Sequence, residues 1–196
     1  WIEILKDDGF NITLGPKDFF FPLLERSGHQ PQGLSDQDLV YLITPDRFHN
    51  GDPSNDDVPG MRERGVDRSE PYARHGGDLQ GIQMGLDYIE SLGATALWLN
   101  PVLENDMMRD SYHGYAITDH YRVDPRYGGD DALRELATEL HQREMKHIMD
   151  IVYNHWGVEH YLHRNLPDSG MVHFNPDGSI PYSNFRFSAL ADPHAL

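Results

Sequence analysis

A segment with the donor atoms of a hard-cation site lies between residues 50 and 56. Four of its seven residues carry a carboxylate or amide side chain: Asn50, Asp52, Asn55 and Asp56. Calcium takes six to eight oxygen ligands, and a tight turn of short carboxylates and amides can supply several of them. A solvated turn explains the same residues equally well, because Asn, Asp, Gly and Pro dominate turns and the spacing is not that of an EF-hand.

A second group of oxygens that could complete this loop comes at residues 75–78, His-Gly-Gly-Asp. Asp78 directly precedes a helical pattern, where a carboxylate caps the first turn by accepting hydrogen bonds from backbone N–H groups. In the alternative interpretation, Asp78 and the Gly76 carbonyl are the remaining cation ligands. The two roles are compatible because the two carboxylate oxygens can divide them.

Two tyrosines flank a histidine and a glycine in the segment Tyr112-His113-Gly114-Tyr115. An aromatic ring can form a stacking wall for a sugar ring, with polar hydrogens around it. An ordinary packed tyrosine pair is the competing interpretation, and the segment by itself favours that one.

The strongest chemical signal is the segment Asp150-Ile151-Val152-Tyr153-Asn154-His155. Asp150 falls inside an apolar strand pattern, and a buried ionised carboxylate is costly unless it is paired and hydrogen-bonded. Alternation along the strand places Asp150, Val152 and Asn154 on one side and His155 at the carboxyl end. Either Asp150 only fixes a loop, or it orders a site and pairs with an arginine outside the visible strands.

These residues lie after, or in the case of Asp150 within, three predicted strands, at residues 39–44, 95–99 and 147–153. Apolar residues recur at helical spacing between the strands, over residues 79–92 and 133–140. Strands that alternate with helices pair in parallel, are covered on both faces and carry their chemistry in loops after the strands' carboxyl ends. The pattern predicts an α/β fold. It is either a small open sheet or, as we favour, the first three βα units of a (β/α)8 TIM barrel, which needs about 250 residues.

Four regions follow from composition along the chain. Residues 1–24 mix β-rich and turn segments and are the expected tail of a preceding β-sheet domain. Residues 25–37 are a linker rich in Ser, Gly, Gln and Pro. Residues 38–155 hold the three βα units, and residues 156–196 form a loop-like region rich in Pro, Gly, Asn and His.

The overall composition excludes several function classes. Asp and Glu number 32 against 16 Lys and Arg, and the net charge of −16 disfavours nucleic-acid binding. The absence of cysteine excludes disulfides, thiolate nucleophiles and Cys-ligated zinc. No apolar run has the length of a membrane span. The chain starts at Trp1 without a signal peptide, so we expect its true start to lie upstream.

Several of these motifs, in this order, resemble the α-amylase superfamily, glycoside hydrolase family thirteen, and most closely its neopullulanase and cyclomaltodextrinase branch. The resemblance covers the chain from about Leu39 to its end. It rests on the segments Asp46–Phe48, Asn50–Asp52, Gly76–Asp78, Leu97–Val102, Tyr112–Tyr115 and Asp150–His155.

The resemblance implies a role for each candidate residue. Tyr115 would stack under the sugar beside the scissile bond, His113 would support it, and His155 would hydrogen-bond the same sugar. Asp150 and Asn154 would order the site. Structural Ca2+ would be bound by Asn50, Asp52, Asn55, Asp56, the Gly76 carbonyl and Asp78. Residues 1–24 would be the tail of an N-terminal β-sandwich domain, and residues 156–196 a truncated, domain B-like insertion.

The implied activity is retaining hydrolysis of α-1,4- or α-1,6-glucosidic bonds in starch, pullulan, maltodextrin or cyclodextrin, by two carboxylates about 5–5.5 Å apart. The resemblance places both carboxylates after Leu196, so this chain would hold no catalytic residue. Glu104, Asp106 and Asp110 are interpreted as solvated loop carboxylates, and His160 and His163 as surface histidines.

A non-catalytic relative that binds α-glucan or calcium is the alternative to an enzyme. The expected partner in both cases is an α-glucan oligosaccharide or polysaccharide. Homodimerisation of the full-length protein stays open. Periplasmic or extracellular export would suit a polysaccharide-degrading protein, although no residue of the chain indicates it.

Overall fold

The computed structural model describes residues 3–5, 11–13, 33–163 and 175–177. The chain divides into two units, residues 1–36 and residues 37–196. In the first unit, strand β1 (Glu3–Leu5) pairs antiparallel with β2 (Asn11–Thr13), and Ile4 lies opposite Ile12. Residues 14–24 of the predicted β-rich tail and residues 25–32 of the predicted linker lie outside the described residues.

The second unit is built on a three-stranded parallel sheet, as the alternating pattern predicts. Strands β3 (Val40–Ile43), β4 (Ala96–Leu99) and β7 (Lys146–Met149) lie side by side in that order. A small antiparallel pair, β5 (Leu103–Glu104) with β6 (Asp119–Val123), lies between β4 and β7 in the chain. The helices are α1 (Pro45–Phe48), α2 (Leu79–Met84), α3 (Leu86–Ser91) and α4 (Gly129–Gln142).

One face of the parallel sheet packs on the crossover helices and forms the core. Ile43, Leu97 and Leu99 from the strands are buried there. The helices contribute apolar residues at the spacing of a single helix face, namely Leu79, Ile82, Leu86, Ile89, Leu136 and Leu140. Full burial of such a side chain stabilises a fold by about 1.5–3 kcal/mol, so this face holds the sheet and helices together.

The opposite face of the sheet stays open among the described residues, contrary to the expectation of strands covered on both faces. Leu42, Trp98 and Ile148 are neighbours in register there. Leu42 is 56% exposed and Trp98 is 39% exposed. In a closed barrel, an apolar row of this kind faces inward and is covered by side chains from further strands.

Two predicted element boundaries are wrong, each for a local reason. The single helix expected over 79–92 is two short helices that meet at Gly85, where an added Cβ would lie 2.6 Å from the Phe48 ring. The third strand ends at Met149 rather than at residue 153, because its partner Leu99 is the last residue of β4. Within the described residues, no helix combines the length and the apolar character that a membrane crossing requires.

Candidate functional site

Three loops leave the parallel sheet at its carboxyl edge, because parallel strands all end on the same side. They comprise residues 44–78 after β3, residues 100–118 after β4 and residues 150–163 after β7. The residues singled out from the sequence all lie in these loops.

The loop after β4 turns sharply to present Tyr115. Ser111–His113 form a 3₁₀ turn, and Gly114 follows with φ +80°. A Cβ at Gly114 would lie 2.1 Å from the Pro101 carbonyl oxygen, so the close approach and the positive φ both require glycine. The Tyr115 N–H donates to His113 Nδ1 at 2.9 Å, and the two rings stack with centroids 6.0 Å apart.

Tyr115 lies beside the two polar residues that follow β7. Its hydroxyl donates to Asp150 Oδ2 at 3.0 Å. His155 Nε2 lies 2.9 Å from the Tyr115 carbonyl oxygen, which can only accept, so Nε2 carries the proton. Asn154 Nδ2 lies 3.3 Å from His155 Nδ1, the lone-pair nitrogen of that tautomer. The structure thus brings together Tyr115, His113, Asp150, Asn154 and His155.

The position of Asp150 corrects one expectation. Asp150 is not inside the strand and is not buried, since β7 ends at Met149 and the side chain is partly exposed. Among the described residues it accepts a hydrogen bond from the Tyr115 hydroxyl, and its pairing with an arginine from outside the chain stays a prediction. The apolar run through Ile151 to Tyr153 suggested a longer strand, but only Val152 of these is buried.

The surroundings favour the uncharged forms of the Tyr115 hydroxyl and of the His113 and His155 imidazoles. Burial lowers the pKa of His113, against the opposing charges of Asp110 and Glu63. Burial also lowers the pKa of His155. Burial raises the pKa of the Tyr115 hydroxyl, and its hydrogen bond to Asp150 raises it further. The Tyr115 hydroxyl and the two imidazoles therefore offer neutral donors, neutral acceptors and ring faces, which suit a ligand rich in hydroxyl groups.

A buried ion pair between Asp124 and Arg126 was not predicted from the sequence. It is linked through Asn105 to the loop that carries Tyr112–Tyr115, called the aromatic loop below. Arg126 donates to both oxygens of Asp124, at 2.9 and 2.7 Å, and also to the Asn105 carbonyl at 2.9 Å. Asn105 Nδ2 in turn donates to the Ser111 carbonyl. Burial opposes ionisation of Asp124, but the bonds and charge of Arg126 outweigh it and lower the pKa of that carboxyl. In the sequence, Asp124-Pro125-Arg126 places an acidic residue two positions before a basic one, which could have indicated this ion pair.

A second buried pair supports the loop after β3. Asp46 accepts hydrogen bonds from the backbone N–H groups of His75 and Gly76, at 2.9 and 3.3 Å. The Arg74 guanidinium lies 3.7 Å from Asp46, and both side chains are buried. Arg47 lies over the Tyr112 ring, 3.9 Å from its centroid. The loops after β3 and β4 are therefore held against each other through charged groups.

Asp78 joins the Asn/Asp loop to helix α2, and its predicted N-cap role is confirmed. Oδ1 accepts from the N–H of Gly81 at 2.6 Å and of Gly51 at 3.1 Å. Oδ2 accepts from the Asp52 N–H at 2.8 Å and from Asn55 Nδ2 at 3.2 Å. Both oxygens thus fix the backbone of Gly51 and Asp52 and the side chain of Asn55 against the first turn of the helix.

Two amide oxygens in the same loop, Asn50 Oδ1 and Asn55 Oδ1, are buried and have no hydrogen-bond donor among the residues that the structure describes. The Asn50 amide donates to Asp56 Oδ1 at 2.8 Å, and burial raises the pKa of Asp56. Gly76 has φ +84°, and a Cβ there would lie 2.4 Å from Asp56 Oδ1. Buried acceptors without donors are the groups that a cation satisfies, so the donor chemistry of the loop fits calcium.

Asp52 points elsewhere: its Oδ1 accepts from the Ser54 N–H and hydroxyl, and these bonds lower its pKa. In the described part of the chain, no three His, Cys, Asp or Glu side chains converge as a metal cluster. Any cation held by this loop would therefore depend on amide and backbone oxygens as well as on carboxylates.

The interpretation of Glu104 and His160 as surface residues is wrong. Glu104 is 5% exposed and pairs with Arg122 at 2.5 Å. His160 is 2% exposed, with its ring stacked on those of Trp156 and Tyr161. Both belong to the packing of the loops after β4 and β7. The side chain of His163 lies outside the described residues.

A parallel βα sheet with its polar cluster on the strand-end loops defines the class of α/β domains that bind ligands at the carboxyl edge. Residues 42–183 match the family model described as the α-amylase catalytic domain. The chain therefore belongs to the α-amylase family, and the resemblance drawn from its motifs is confirmed.

Individual relatives agree with this assignment. Neopullulanase 2 of Thermoactinomyces vulgaris is 38% identical over 133 residues, which are 67% of this chain and 22% of that protein. The cyclomaltodextrinase of Thermoanaerobacter pseudethanolicus is 36% identical over 157 residues, 80% of this chain and 25% of that protein. A solved α-amylase structure from Anoxybacillus has 42% identity and a TM-score of 0.62, covering 70% of this chain and 28% of that one. The chain thus spans about a quarter of these relatives.

Proposed function

We propose that the protein containing this chain is a retaining α-glucan hydrolase that cleaves α-1,4- or α-1,6-glucosidic bonds in starch, pullulan, maltodextrin or cyclodextrin. The observation that carries this is the convergence of Tyr115, Asp150 and His155 on one edge of the sheet, at 2.9–3.0 Å. Relatives named for pullulan and cyclomaltodextrin hydrolysis support the choice of substrate class.

The chain's own residues would bind and orient the sugar. The exposed part of the Tyr115 ring would stack on an apolar sugar face, and His113 behind it would fix the ring plane. Only one of the two His155 nitrogens can donate, and it is used by the Tyr115 carbonyl, so Nδ1 would accept from a sugar hydroxyl in place of the Asn154 amide. Asp150 and Asn154 would order these groups. The described residues are assigned binding roles and no catalytic carboxylate.

We also propose that the Asn/Asp loop binds structural calcium through Asn50, Asp52, Asn55, Asp56, the Gly76 carbonyl and Asp78. The main support for this site is that the buried amide oxygens of Asn50 and Asn55 accept no hydrogen bond from the described residues. Asp52 would have to give up its bonds to Ser54 to join the set by its side chain. The ion would neutralise the acidic loop and hold residues 50–56 against residues 76–78, without entering the reaction.

The proposed architecture extends the observed sheet. Strands β3, β4 and β7 would be the first three strands of a (β/α)8 barrel, preceded by a β-sandwich to which β1 and β2 would belong. The open apolar row at Leu42 and Trp98 supports a barrel, because a closed barrel would bury it. The proposal for the full-length protein includes a homodimer. The net charge of −16 argues against nucleic acid as a partner.

The test is a hydrolysis assay on the full-length protein with maltoheptaose, pullulan and β-cyclodextrin. We expect new reducing ends, and proton NMR at early times should show the α-anomer of the product because a retaining mechanism preserves configuration. Release of the β-anomer would contradict the mechanism. Binding of maltoheptaose without any hydrolysis would instead establish the non-catalytic relative, and neither binding nor hydrolysis would overturn the proposed function.

A further inference from the structure

A carboxylate from the loop after β3 reaches the aromatic loop after β4. Glu63 Oε2 accepts the backbone N–H of Ser111 at 2.8 Å, across 48 positions of sequence. The Glu63 carbonyl oxygen accepts from Arg126 Nη1 at 3.1 Å. Glu63 is therefore joined both to the first residue of the 3₁₀ turn and to the buried ion pair beneath it.

The Ser111 N–H needs an acceptor from outside its own loop. A helical turn leaves its first N–H groups without partners. The residue before the turn usually caps the N–H of the second or third residue with its side chain, so the N–H of the first residue needs another acceptor. Asp110 occupies that position, but it has φ +60° and its side chain makes no capping bond. Ser111 is buried, so an uncapped N–H there would be costly. Glu63 supplies the missing cap from a different loop.

The neighbouring Arg62 holds Glu63 in place. Its backbone N–H donates to Asp106 Oδ1 at 2.7 Å, in the loop after β4. Its guanidinium Nη2 lies 2.8 Å from Glu159 Oε2, in the loop after β7. Residues 62 and 63 therefore contact both of the other strand-end loops.

We infer that Glu63 is a positioning residue for Tyr112–Tyr115: it caps the turn that sets the direction of the Tyr115 ring, without touching the ligand itself. The capping role stands on the contacts of the chain. Its consequence for glucan binding rests on the proposed function.

The experiment compares Glu63→Ala, Glu63→Asp and Glu63→Gln in the full-length protein. Alanine removes the acceptor, aspartate is one methylene too short to reach Ser111, and glutamine keeps an oxygen at the same reach. The matched control is Arg64→Gln, which breaks an exposed ion pair with Asp57 in the same loop and does not touch the aromatic loop.

Hydrogen–deuterium exchange tests the capping role without any ligand. We expect exchange in residues 111–115 to accelerate by about tenfold in E63A and E63D, and to stay within about twofold of wild type in E63Q and R64Q. Unchanged exchange in E63A would overturn the inference. If E63A does not fold, E63D carries the same comparison, and unchanged exchange in E63D overturns it.

Steady-state kinetics with maltoheptaose test the consequence. We expect kcat/KM to fall about tenfold in E63A and E63D and to be restored in E63Q, because the acceptor rather than the charge positions the ring. Equal loss in E63A, E63Q and R64Q would indicate a general effect on the fold and would overturn the positioning role. An inactive, non-binding wild type would refute the proposed function while leaving the exchange result to decide the capping role.

Discussion

At the scale of single residues, the hydrogen-bond partners of His155 determine which of its ring nitrogens carries the proton. The Tyr115 carbonyl takes the Nε2 proton, and the Asn154 amide faces the Nδ1 lone pair. Burial lowers the pKa of both His113 and His155, so charge at either ring opposes the folded arrangement. The polar groups that surround Tyr115 are therefore arranged around neutral imidazoles.

A pH dependence of stability follows from the lowered pKa of His155. Below its ordinary pKa of 6.5 the unfolded chain binds this proton while the folded protein resists it, so the free energy of unfolding falls as the pH decreases from 6.5 towards the lower folded value. Above 6.5 the contribution is constant. Denaturant unfolding at pH 7.5, 6.5 and 5.5 should show a smaller acid loss of stability in His155→Asn than in wild type.

The control for this measurement is His49→Asn, which replaces an exposed histidine in the loop after β3. Equal pH slopes in His155→Asn, His49→Asn and wild type would refute a role for the half-buried His155 imidazole.

At the scale of secondary-structure elements, Asp78 connects loop chemistry to a helix. Its two oxygens cap α2 and hold the backbone of Gly51 and Asp52. The amide oxygens of Asn50 and Asn55 are left buried without donors, which is unfavourable unless another group satisfies them. A calcium ion would remove that cost and bind only the folded loop.

Calcium removal should therefore destabilise the protein. A ligand at 100 times its dissociation constant adds about 2.7 kcal/mol to the free energy of unfolding, which corresponds to a Tm change of several degrees. Scanning calorimetry with calcium and with EGTA should show this difference in wild type. Asn55→Ala should abolish it, whereas Asp57→Asn, an exposed neighbour, should keep it. If the Tm of the wild type is the same with calcium and with EGTA, the calcium site is contradicted.

At the scale of the whole molecule, sequence reasoning predicted the parallel βα order and the loops that carry the site. It succeeded because apolar runs and helical spacing at residues such as Leu97 and Ile82 report burial directly. It failed for Asp150, since an apolar run does not reveal where the partner strand ends. It also missed Arg126 and Glu63, because charged residues report their partners only after distant loops have been brought together.

The central claim is that Tyr115 at the carboxyl edge of the sheet contacts an α-glucan, and the most direct test is kcat/KM on maltoheptaose for Tyr115 variants of the full-length protein. Loss of ring stacking in Tyr115→Ala should lower kcat/KM at least about tenfold, and loss of the bond to Asp150 in Tyr115→Phe about fivefold. Tyr88→Ala, on the exposed face of α3, should match wild type. If Tyr115→Ala retains wild-type kcat/KM, Tyr115 does not bind the glucan and the account is wrong.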